Sequence, residues 1–201
     1  MRKAFAIAIT LLLLSSPAWA GFGYTVYGGG HQAVAAGGAC ADTASGDYGN
    51  TATDGSNFNV SQNQILVTEI DLSTDEGEDP TLYAYIQDNN LGSAANYKWV
   101  IYDDDGGSGE PGSLLYVSDS ILIDQDAFAW DSLSSSGTGC LTGKVWVGVI
   151  LDGAIAPGLK YNNTGANTRY ISNADFTPPE TWDTDSDLTS TNARSFYMSF
   201  P

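Results

Sequence analysis

Positive charge is the scarcest property of this 201-residue chain: seven Lys and Arg face 24 Asp and Glu, a formal net charge of −17. Two of the seven, Arg2 and Lys3, precede the apolar run Ala4 to Leu14, and Ala18-Trp19-Ala20 ends that stretch with the small-x-small pattern of a signal-peptidase site. Residues 1–20 are therefore expected to be a signal peptide. Losing them removes two positive charges and no acid, so the remainder carries −19. Nucleic acid and anionic membranes are bound mainly through Lys and Arg meeting phosphate. Five scattered basic residues between Lys98 and Arg194 do not supply that, so neither is an expected partner. Past the N-terminal run no apolar stretch approaches the ~20 residues that cross a bilayer, so no membrane span is expected.

Histidine and cysteine are almost as scarce. His31 is the only histidine, and it sits in a Gly-rich stretch, so a Ser-His-Asp triad has nowhere else to find its base; no GxSxG motif is present. Zinc would be left with carboxylates alone. The two cysteines, Cys40 and Cys140, have no CxxC spacing, and an even count in an exported chain predicts a disulfide. By the loop-entropy model a bridge between them is worth roughly 4–5 kcal/mol. The expected location is outside the cytoplasm, extracellular or periplasmic.

Helical periodicity is also missing: no stretch keeps a 3.6-residue apolar repeat for three turns. Alternation takes its place. In Ile65 to Leu72, Leu66, Thr68, Ile70 and Leu72 share one face, with Glu69 and Asp71 opposite. Thr81 to Gln87 sets Leu82, Ala84 and Ile86 against Tyr83 and Tyr85. Asn96 to Tyr102 sets Tyr97, Trp99 and Ile101 against Lys98, Val100 and Tyr102. Lys144 to Leu151 alternates four apolar residues with Trp146, Gly148 and Ile150. Shorter runs lie at Leu114 to Val117, Ile121 to Ile123, Arg169 to Ser172 and Ser195 to Phe200. Turn clusters of Gly, Pro, Asn and Asp separate them, which spells an all-β antiparallel sandwich or barrel. Residues 21–57, rich in Gly, Ala, Ser and Asp, are expected to be an irregular N-terminal arm packed on or tethered to a sandwich formed by residues 58–201.

The segment Trp99 to Leu115, WVIYDDDGGSGEPGSLL, resembles an "IYsd..G.PGsLL" signature of jelly-roll-like β-sandwich modules in secreted, surface-anchored and phage-tail proteins. Gly143 to Val149 is similar to a later strand of such modules. The resemblance implies a jelly-roll-like sandwich, carbohydrate binding in some members, and no catalytic residues. Independently of it, Pro111-Gly112 reads as a type II turn in which Gly112 takes positive φ.

Three constellations carry chemistry. Asp103, Asp105 and Glu110 lie in a Gly-rich loop able to fold around calcium, which takes six to eight oxygens at ~2.4 Å. Calcium is thus the one ion the sequence suggests, and no cofactor is required. Paired carboxylates would suit a glycosidase, but 24 acids make some pairing inevitable, and Glu69 is the one glutamate expected on a strand and not in or beside a turn cluster. Exposed aromatics suit sugar rings: Tyr83 and Tyr85 on one strand, with Trp130 and Trp182 in polar stretches. Trp182, between Glu180 and Asp183, is the expected solvent-facing ring, whereas Trp99 and Trp146 read as core. The expected function is an exported, non-catalytic β-sandwich whose partner is a glycan or another cell-surface or extracellular component. The alternatives are a structural or self-associating surface or matrix protein, and a carbohydrate-active enzyme.

Overall fold

The computed structural model describes residues 40–87, 95–152, 157–162, 165–173, 175–183 and 187–201. The expected signal peptide, most of the N-terminal arm and His31 lie outside the described residues.

Alternating apolar residues build two antiparallel sheets that face one another, and no helix occurs among the described residues. Sheet I contains β1 (Gly46–Gly49), β2 (Ser56–Asn59), β4 (Thr81–Gln87), β8 (Ala129–Ser134), β10 (Gly158–Asn162), β13 (Ala193–Arg194) and β14 (Phe196–Phe200). Sheet II contains β3 (Gln64–Gly77), β5 (Ala95–Asp103), β6 (Leu114–Val117), β7 (Ile121–Ile123), β9 (Leu141–Asp152), β11 (Thr168–Ser172) and β12 (Leu188–Ser190). The arm predicted as irregular contributes β1, which pairs with β14, and the first half of β2, which pairs with β10. Both are short and Gly- or Asn-rich, and their hydrogen-bond partners come from the far end of the chain.

The inward faces follow the alternation. Leu66, Ile70 and Leu72 of β3, Leu82, Ala84 and Ile86 of β4, and Tyr97, Trp99 and Ile101 of β5 all enter the core between the sheets. Val145, Val147, Val149 and Leu151 of β9 and Phe196, Met198 and Phe200 of β14 complete it. Each buried Leu, Ile, Val, Met or Phe among them contributes roughly 1.5–3 kcal/mol by leaving water.

Sheet II is buried on its other face too. Ile65, Val67, Val100, Tyr102, Trp146 and Ile150 form a second cluster under Ile171 and Trp182, with Phe176 packed against it. The covering comes from a strap formed by residues 175–183. It is pinned by the Trp182 N–H donating to the Gly112 carbonyl (2.9 Å) and the Leu114 N–H to the Glu180 carbonyl (2.8 Å). The Tyr102 hydroxyl and the Lys98 ammonium donate to the carbonyls of Pro179 (3.1 Å) and Phe176 (2.9 Å).

The disulfide joins Cys40 to Cys140, as expected, and fastens the start of the described chain to the residue before β9. Arg194 is buried at the seam of sheet I, its guanidinium between the rings of Phe58 (4.0 Å) and Tyr161 (4.8 Å). Burial pushes its pKa down to about 10, so it remains a cation at neutral pH.

Candidate binding face

With sheet II covered, the outward face of sheet I carries a contiguous group of partly exposed aromatic side chains. Strand parity decides which ones. In β4 the even residues are buried, so Thr81, Tyr83, Tyr85 and Gln87 point out. Register then fixes their neighbours. Tyr83 lies opposite Tyr197 of β14 on one side and Ser132 of β8 on the other, and Tyr85 lies opposite Trp130.

These side chains form one continuous aromatic surface. Tyr83 and Tyr197 stack with centroids 4.4 Å apart and planes 3° from parallel. Trp130 meets Tyr197 edge-on at 5.0 Å and Tyr85 at 5.0 Å, so its indole bridges β4 between the two tyrosines. Phe128 extends the surface past Tyr85, with centroids 5.8 Å apart. The Lys160 ammonium caps Phe128 at 4.6 Å from its centroid and donates to the Gly55 carbonyl at 3.2 Å. All five rings are partly exposed. Partial desolvation, followed by electrostatic interaction with neighbouring Tyr83 and Asp47, raises the Tyr197 pKa above its ordinary 10.0. Beside the rings runs a row of hydroxyls on neighbouring strands: Ser199, Thr81 and Ser134 are cross-strand partners, and the last two lie 3.5 Å apart.

Of the four aromatics singled out from sequence, the fold therefore brings three together: Tyr83, Tyr85 and Trp130. Trp130 lies in strand β8 rather than in a loop. Trp182 is a correction. It is 4 % exposed, packs edge-on against Tyr102 at 5.2 Å, and donates its indole N–H to Asp187 at 3.3 Å. Its acidic flanks are solvated while its ring fills the gap above sheet II. Tyr197 and Phe128 were missed as platform residues. The Tyr197 signal was present, since Phe196, Met198 and Phe200 being inward makes residue 197 face outward.

Protein donors engage the acidic loop. Asp105 accepts from the Ser113 N–H (2.6 Å) and hydroxyl (2.8 Å), which lowers its pKa, the backbone bond contributing most. Asp103 accepts from the Asp104 N–H, and Asp104 from the Trp146 indole at 2.8 Å. Glu110 pairs with Arg169 at 3.0 Å, and the same guanidinium holds Asp187 at 3.1 Å. Asp103, Asp105 and Glu110 thus form no metal-sized group among the described residues. The only such cluster there is Cys40, Glu76 and Cys140, whose sulfurs are already joined. Glu69 is tied to Lys144 at 2.7 Å and accepts from Asn167 at 2.7 Å.

The Pro111-Gly112 turn also differs from expectation. Gly112 does not take positive φ; Gly107, Ser108 and Gly109 do, at 57°, 63° and 71°. Gly112 is instead a close-approach glycine, because a Cβ there would overlap the Asp105 carboxylate and lie 2.5 Å from the Gly106 nitrogen.

No family model, curated protein or solved structure matches this chain, so the outward face of sheet I is interpreted on its own geometry.

Proposed function

We propose that this chain is an exported, non-catalytic β-sandwich that binds glycan on the outward face of sheet I. The observation that carries the reading is the contiguous surface of Tyr83, Tyr85, Trp130, Tyr197 and Phe128, with hydroxyl side chains beside it. Aromatic rings offer large apolar area at low entropic cost, because two torsions fix each one. Here mutual stacking orders them further, so little side-chain freedom remains to be lost on binding. The apolar C–H faces of a pyranose suit such rings, and its hydroxyls suit neighbouring Ser, Thr and phenol groups. Export is supported by the N-terminal charge and hydropathy pattern together with a disulfide, which persists in oxidising compartments.

The test is a glycan array with the purified protein, followed by titrations of the best ligand monitored by tryptophan fluorescence. The expected result is saturable binding that Trp130→Ala and Tyr83→Ala each weaken at least tenfold with unchanged far-UV spectra. Binding retained by the double variant would overturn the assignment of this face. A chain that multimerises in size-exclusion chromatography, with Trp130 shielded from acrylamide quenching in the multimer, would favour a self-associating surface protein instead.

A further inference from the structure

We infer that the ligand of this face is an uncharged polysaccharide held along an internal stretch of its chain, an inference that rests on the binding reading above. The argument starts from where charge is missing. The chain holds 24 acidic residues, yet among the described outward positions of sheet I the only charged side chains are Asp47 and Lys160. The rest are Tyr83, Tyr85, Trp130 and Tyr197 together with Thr81, Gln87, Ser132, Ser134, Ser199, Asn57, Asn59 and Asn162. Lys160 is already engaged, its ammonium placed over Phe128 and donating to the Gly55 carbonyl. An acidic glycan would therefore meet no uncommitted cation on this face while entering the field of a strongly negative protein. That repulsion reaches about 10 Å in 0.1 M salt. A cationic ligand would find a single carboxylate at the margin, Asp47. Neutral hydroxyls and amides, by contrast, match a neutral sugar's donors and acceptors without any charge to desolvate.

The shape supplies the second half. The rings lie across three strands on a sheet surface, from Tyr197 on β14 over β4 to Trp130 on β8. Tyr85 lies one pleat repeat, about 6.6 Å, from Tyr83 along β4, and the Phe128 centroid is a further 5.8 Å from that of Tyr85, so the rings outreach one pyranose ring. The hydroxyl row Ser199, Thr81 and Ser134 crosses the same three strands, one pleat repeat from Tyr197 and Tyr83 and two from Trp130. An aromatic patch longer than one sugar and bordered by hydroxyls suits consecutive sugars of a chain that continues past both ends, and the recognition uses no terminal group.

Affinity electrophoresis through gels containing hydroxyethylcellulose, dextran or galactomannan tests this against gels containing polygalacturonate, alginate or hyaluronate. The expected result is retardation by at least one neutral polymer and by no acidic one, with dissociation constants changing less than about twofold between low and high salt, since no counter-ion is released. The constituent monosaccharide should fail to compete, whereas soluble oligosaccharides of the same linkage should. Preferential retention by an acidic polymer, lost in Trp130→Ala, would overturn the uncharged-ligand inference while leaving the face as the binding site. Full competition by the monosaccharide would overturn the internal-stretch part alone. Failure of every polymer, with no hit on the array, would overturn the binding reading itself.

Discussion

Gly112 and Gly107 sit five residues apart in one loop and should respond very differently to the same added methyl group. At Gly107 a Cβ meets nothing within 4 Å, so Gly107→Ala pays only for holding a side-chain-bearing residue at a φ of 57°. That penalty is about 1 kcal/mol. At Gly112 the φ is permissive and the space is not. The Cβ would displace the Asp105 carboxylate, which accepts two hydrogen bonds from Ser113, and crowd the Gly106 nitrogen. The same residue also binds the strap and β5, because its carbonyl accepts from the Trp182 N–H and its N–H donates to the Asp103 carbonyl, both at 2.9 Å. Losing the Asp105 contacts, at the low end for exposed charge-assisted bonds, and disturbing one backbone bond costs about 3 kcal/mol. The difference, ~2 kcal/mol, corresponds to a urea midpoint about 1 M lower for Gly112→Ala than for Gly107→Ala at a slope of ~2 kcal/mol/M. Asp105→Ala removes the principal obstacle, so the double variant Asp105→Ala/Gly112→Ala should be less destabilised than the two single effects combined. Equal midpoints for the two glycine variants, or a lower one for Gly107→Ala, would refute the close-approach reasoning.

Trp182→Ala should cost about 3–5 kcal/mol by opening a cavity above sheet II, while glycan binding on the opposite sheet persists; a near-UV circular dichroism melt and a titration check both halves. Stability should be full below about pH 10 and fall as pH rises beyond it, because burial, with Asp131 adding to it at Tyr97, holds the phenols of Tyr97 and Tyr102 protonated well above their ordinary 10.0. In a spectroscopic titration those two phenols should ionise only together with unfolding; independent ionisation in the folded state would contradict their burial. Arg194→Met should change stability by less than about 1 kcal/mol, because the loss of ring contacts is offset by removing a buried cation whose Nε and Nη1 have no partner. A loss beyond about 3 kcal/mol in chemical denaturation would mean that the guanidinium is ion-paired.

Sequence alone determined the long central strands, because alternation over seven or more residues admits one pairing of inward and outward sides. Thr81 to Gln87, Asn96 to Tyr102 and Lys144 to Leu151 all lie in strands with the predicted sides turned inward. It also determined the Cys40–Cys140 bridge, since two cysteines leave one intramolecular pairing. Tertiary structure decided what local pattern does not encode. Strands β1, β2, β10 and β13 are only two to five residues long and contain Gly, Asn or Arg; backbone pairing with distant strands makes them strands. The same holds for the site. Tyr83 and Tyr85 were legible as an outward pair on one strand, but their contacts with Tyr197 and Trp130 depend on a register between segments 45 or more residues away. Trp182 shows the converse, because acidic neighbours forecast exposure, whereas the fate of its ring was set by the uncovered apolar face of Val100, Tyr102 and Trp146 beneath it. A residue's neighbours in sequence fix its solvation only when no distant surface competes for its side chain, and a two-sided sheet supplies such a surface.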